Sequence, residues 1–85
     1  MKSKLEMFKK KLIYRAGYRG TKEMDILLSS FVNKYINTFN DSLLNELEKF
    51  LNFEDEVILN YYQKNIIQDK IDKNGVSKIF KNHKL

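Results

Sequence analysis

The stretch MDILLSSFVNKYINTF, Met24 to Phe39, decides the fold. Its apolar residues Met24, Leu27, Leu28, Phe31, Tyr35 and Phe39 recur at steps of three and four, with Val32 and Ile36 widening the stripe. That spacing matches the 3.6-residue turn of an α-helix and not the strict alternation of a strand. The spacing predicts a helix from Thr21 or Lys22 to about Phe39. The aromatic side chains Phe31, Tyr35 and Phe39 lie on its apolar face, which makes them core residues rather than a cofactor platform.

The pattern extends in both directions. After Phe39, Asn40, Asp41 and Ser42 supply turn and N-cap chemistry for a third helix, Leu43 to Leu51, antiparallel to the second. Glu54, Asp55 and Glu56 sit where negative charge favours a helix N-terminus, ahead of Val57, Ile58, Tyr61 and Tyr62 in a fourth. Beyond Gln63 the pattern weakens: Ile66, Ile67 and Ile71 read as one short helical turn, Asn74-Gly75 as a turn, and Val76 to Lys81 as a last helix carrying Ile79 and Phe80. Before the central stretch, Leu5, Phe8, Leu12 and Ala16 give a first helix from about Ser3 to Ala16. It reads as a core helix and not a targeting peptide, because Glu6 lies inside it and no small-residue cleavage signal follows. The chain is therefore expected to be all-α, one domain over residues 1–85, a small bundle of four to five short helices.

Composition bounds the function. A domain of 85 residues buries only about 60 to 65% of its unfolded surface, so its stability margin is thin. No run approaches the roughly 18 apolar residues of a spanning helix. The absence of Cys excludes disulfides and thiolate chemistry and fits a reducing compartment. The net charge of +5 suggests nucleic acid, but the lysines gather at the two ends while Glu46, Glu48, Glu54, Asp55 and Glu56 occupy the middle. No basic face interleaved with Arg or aromatic residues is visible. A small basic helical nucleic-acid-binding regulator is thus the alternative reading, and no nucleic-acid partner is expected.

Catalytic sets fail on geometry. Glu23 with Asp25, and Glu46 with Glu48, point about 200° apart on a helix and make poor acid–base pairs. The single His, His83, lies two residues from the end and reads as a mobile tail residue. The glycines Gly17 and Gly20 lack the strand and spacing of a dinucleotide loop, and Asp72-Lys73-Asn74-Gly75 would place Lys70 and Lys81 at the outer ligand positions of a calcium loop. No enzyme activity and no metal site are expected.

One segment remains: Arg19-Gly20-Thr21-Lys22-Glu23-Met24-Asp25, or R-G-x-x-E-x-D, at the mouth of the second helix. The chain has only two arginines, Arg15 and Arg19, both leading into it. Arg is a planar five-donor fork that Lys cannot copy, so the placement implies a geometric demand. A purely local account is also open: Gly20 as N-cap, Glu23 reaching back to free N–H groups, Asp25 favouring the dipole and Arg19 pairing with a carboxylate.

With the helices around it, this segment resembles the SdhE-type family of assembly factors for covalent flavin attachment to succinate dehydrogenase. The resemblance runs from about Leu5 to Tyr62. The fourth helix carries Tyr61 where family members commonly have Trp. What the resemblance implies is a non-enzymatic factor that binds the flavoprotein subunit of succinate dehydrogenase, possibly also that of fumarate reductase. It would promote covalent attachment of FAD to that partner while holding no cofactor stably itself. Arg19, Gly20 and Glu23 match the family's R-G-x-x-E, and Lys22 and Asp25 are secondary partner-binding candidates. On this reading Gly20 is a steric gate, and Arg19→Lys is expected to weaken partner binding and leave the free domain's stability little changed. A monomer in the bacterial cytoplasm is expected.

Overall fold

Four side chains stop an extended backbone and start a helix. Ser3 accepts from the Glu6 N–H, Thr21 from Met24, Asn40 from Leu43, and Asn74 from both Val76 and Ser77. Each satisfies N–H groups that the first helical turn leaves without an intrahelical partner. In the computed structural model, which describes residues 3–84, the resulting helices are α1 (Lys4–Ala16), α2 (Lys22–Tyr35), α3 (Asp41–Phe50), α4 (Asp55–Lys64) and α5 (Gly75–Lys81). Two 3₁₀ turns, Ile36–Thr38 and Ile71–Lys73, join them. The structure is all-α, and no strand occurs among the described residues.

The boundaries depart from the periodicity in three places. α2 stops at Tyr35 and tightens into the first 3₁₀ turn, where the Thr38 hydroxyl donates to the Tyr35 carbonyl and competes with the helical ladder. Phe39 is consequently extended and not helical, yet still buried. α3 begins at Asp41 and not Leu43, because Asn40 takes the cap and releases Asp41 and Ser42 into the helix. The isoleucines after α4 do not share a turn. Asn65 adopts φ 57°, the left-handed conformation that ends a helix, and Ile66 and Ile67 are exposed while Ile71 alone is buried.

All five helices contribute to one core, centred on Phe31 of α2. Its ring lies 5.0 Å from Phe80, 5.2 Å from Tyr35, 6.2 Å from Phe50 and 6.4 Å from Phe39, centroid to centroid. The tilted and edge-on arrangements suit the aromatic quadrupole. α1 buries Leu12 and Ala16, half-buries Phe8 and leaves Leu5 exposed, so only its C-terminal half is held by the bundle. There Gly17 permits a close approach: a Cβ on it would stand 3.1 Å from the Ser29 hydroxyl of α2.

His83 is the largest departure from expectation. It is 2% exposed, not a mobile tail residue. Its ring packs edge-on against Phe31 and Tyr35, its Nε2 lies 3.2 Å from the Ser30 hydroxyl, and its carbonyl accepts from the Tyr62 hydroxyl at 2.6 Å. A residue near the end of the chain is ordered when it fills a core position, and the three helical contacts supply that position. Burial, with Lys34 nearby, holds the imidazole pKa below its usual value. The doubly protonated ring carries an N–H on both nitrogens, and Nδ1 is buried with no partner among the described residues.

A depressed histidine pKa means that the unfolded chain takes up a proton that the folded chain refuses. Stability is therefore retained above the unfolded pKa of about 6.5 and falls as pH drops below it. A melting series from pH 7.5 to 5 should show this decline, and His83→Phe should flatten it over that range. An equally steep decline in the variant would assign it to other groups.

Candidate functional site

The loop between α1 and α2 and the turn between α3 and α4 are tied together by the chain's two arginines. Arg15 donates to the Asn52 side chain. Arg19 spends its whole fork there: Nε donates to Asp55 at 2.8 Å, and its two terminal nitrogens donate to the Leu51 and Phe53 carbonyls at 2.7 Å each. The Leu51 carbonyl stands at the C-cap of α3, where the helix leaves acceptors unpaired and its dipole is negative, Phe53 lies in the turn that follows, and Asp55 opens α4. A planar five-donor group meets three acceptors in one place, which a lysine cannot do. The geometric demand behind the arginines is thus internal. The Arg19 side chain is only 10% exposed.

Behind the guanidinium, the Arg19 backbone N–H donates to the Asp25 carboxylate, which bends the chain back over the first turn of α2. The cap of α2 is Thr21 and not Gly20, so Glu23 has no reciprocal capping role. Gly20 lies between these fixed points at φ 111°, a conformation that side chains rarely adopt, and nothing lies within 4 Å of where its Cβ would be.

The five motif residues therefore divide. Arg19 and Asp25 face inward and shape the loop. Gly20, Lys22 and Glu23 are exposed, and Glu23 makes no hydrogen bond or ion pair with any described residue. Arg19 thus differs from its expected behaviour in the free protein, since its exchange for lysine now bears on stability. Tyr14 and Tyr18, stacked at 4.4 Å and 63% and 71% exposed, stand beside the loop on the α1 side.

On the other side a groove of about 380 Å³ opens between α2 and α4. Glu23, Ile26 and Leu27 form one wall, and Leu59, Tyr62 and Gln63 the other. Tyr62 and Leu59 are half-buried, packing against the core while also lining this groove, and Gln63 is exposed at its edge. One signal for the groove was available: Ile26 is two residues from Met24 and so falls off the apolar stripe, an apolar side chain with no core to enter. A second groove, about 410 Å³, lies between α1 and α3 and contains none of the motif residues. Among the described residues no cluster of His, Cys, Asp and Glu could hold a metal ion, and no helix is long and apolar enough to cross a membrane.

Comparison with known proteins matches residues 10–84 to a family model described as flavinator of succinate dehydrogenase. Among curated proteins, the chain is 37% identical over 78 residues to succinate dehydrogenase assembly factor 2, mitochondrial, of Scheffersomyces stipitis, covering 91% of this chain and 52% of that protein. It is 36% identical over 78 residues to the Saccharomyces cerevisiae protein of the same name, with 91% and 48% covered. To assembly factor 2-B, mitochondrial, of Drosophila willistoni it is 42% identical over 48 residues, with 56% and 31% covered. The chain spans about half the length of the first two relatives. The names overturn the expected bacterial cytoplasmic location, since these relatives are mitochondrial proteins. Charge and the lack of cysteine exclude some chemistry but encode no address.

Proposed function

The chain belongs to the family of flavinators of succinate dehydrogenase, and from that premise we propose that it is a non-catalytic assembly factor. It binds the flavoprotein subunit of succinate dehydrogenase and promotes covalent attachment of FAD to that subunit. FAD chemistry belongs to the partner on this reading, and this chain acts by binding energy and positioning. The observation that carries the proposal is the division within the motif: Arg19 is clamped internally by three hydrogen bonds, while Gly20, Lys22 and Glu23 are exposed. Rigid, pre-shaped loops bind with less ordering cost.

The test is reconstitution. The purified chain and the apo-flavoprotein subunit should co-elute on size exclusion, and flavin that survives denaturation should accumulate faster in the subunit when the chain is present. Equal rates and extents with and without it would end the assembly-factor reading. Tight binding to DNA with a steep loss on raising salt would transfer the case to the nucleic-acid regulator.

Gly20→Arg separates contact from folding. The open space above Gly20 accommodates the side chain, while φ 111° strains any non-glycine residue by about 1 to 3 kcal/mol. The variant should keep its helical circular dichroism, melt several degrees lower and fail to co-elute with the flavoprotein. Retained co-elution would remove Gly20 from the contact surface.

A further inference from the structure

We propose that the groove between α2 and α4 is the anchor pocket of the partner interface. It takes one large apolar side chain of the flavoprotein flanked by a basic residue that pairs with Glu23. This deepens the proposed function and rests on it. The walls decide the apolar half of the ligand. Met24, Leu27 and Leu59 line the groove, and Ile26 at the rim is 50% exposed without a partner in the free chain. About 380 Å³ exceeds a leucine or phenylalanine side chain, and such central anchors carry most of an interface's energy.

Charge complementarity decides the other half. Glu23 lines the same groove and is exposed, with no ion pair among the described residues. It is held at the first turn of α2, where a negative side chain complements the helix dipole. A carboxylate beside an apolar recess selects a lysine or arginine next to the anchor and disfavours an acidic one.

The groove is also pre-shaped. The Tyr62 hydroxyl donates to the His83 carbonyl, and its ring packs on Phe80 at 4.8 Å. One wall is therefore fixed by the buried Phe80 and His83, and the ligand need not order it. Glu23 is shared between the motif and the groove, which makes the two surfaces continuous.

Titration calorimetry of the chain against the apo-flavoprotein subunit, at two salt concentrations, tests this. Ile26→Ser should weaken binding at least tenfold with helicity and melting temperature nearly unchanged. Glu23→Gln should weaken it about tenfold and reduce the salt dependence of the affinity, which a purely structural residue would not do. Gln63→Arg, at an exposed rim position, should also weaken binding by competing for Glu23 and repelling the partner's cation. If all three bind within twofold of the unsubstituted chain while Gly20→Arg does not bind, the groove is overturned and the assembly-factor reading stands. If the unsubstituted chain itself does not bind, that reading falls, and the groove with it. A free chain that sediments as a dimer and becomes monomeric with Ile26→Ser would also overturn the proposal, by making the groove a self-interface.

Discussion

Exchanging Arg19 for lysine is expected to destabilise the free protein by roughly 2 to 4 kcal/mol, since hydrogen bonds to charged groups are worth about 1.5 to 3 kcal/mol each and at least one is lost. Lysine keeps the charge but offers a single ammonium in place of the fork that meets Asp55, Leu51 and Phe53 together. The carbonyls left without a donor add to the loss, because Leu51 is buried. A chain of 85 residues has a total stability of about 4 to 13 kcal/mol, so this exchange removes a large share of it. In a thermal melt the shift should be on the order of 10 to 25 °C. An exposed cation would give a near-silent exchange, within about 1 kcal/mol. A melting temperature unchanged by Arg19→Lys would mean that the clamp does not form in solution.

On the proposed function, the same exchange should weaken binding to the flavoprotein as well, but as a consequence of a loosened loop. Asp55→Asn distinguishes the two routes, because Asp55 opens α4 behind the motif and is only 27% exposed. It should lower stability less than Arg19→Lys, and a double-mutant cycle should show coupling between the two positions, since the residues are in direct contact.

Truncating Phe31 to alanine should cost about 3 to 5 kcal/mol, the range for large aromatic side chains removed from a packed core. Phe31 is fully buried and touches rings from α2, α3 and α5 as well as His83. The loss approaches the whole stability of a small domain, so circular dichroism and urea titration should report a largely unfolded or marginal protein at ambient temperature. Phe31→Leu retains much of the volume and should cost less, about 1 to 2 kcal/mol. If Phe31→Ala kept a cooperative transition near that of the unsubstituted chain, the core could not be centred on this ring.

What the sequence by itself determined was everything that depends on spacing along one helix. The stripe from Met24 to Phe39 established α2 and its buried face, and Asn40, Asp41 and Ser42 marked where the next helix starts, whereas the caps at Thr21 and Asn74 emerged only in the structure. The motif was legible, and so was its resemblance to a family, because both are linear patterns. Tertiary structure alone decided which motif residues face inward. Arg19 and Asp55 are 36 positions apart, and no local pattern distinguishes an arginine that binds a partner from one that closes two loops. The acidic run at α4 had a sufficient local explanation in the helix dipole, which hid the role of Asp55. His83 was misread for the same reason: proximity to a chain end suggests mobility, but burial is set by which helices converge, and Ser30, Phe31, Tyr35 and Tyr62 converge on it. The groove beside Glu23 also required two helices at once. Periodicity assigns each apolar residue to a face, and only packing determines whether that face is covered.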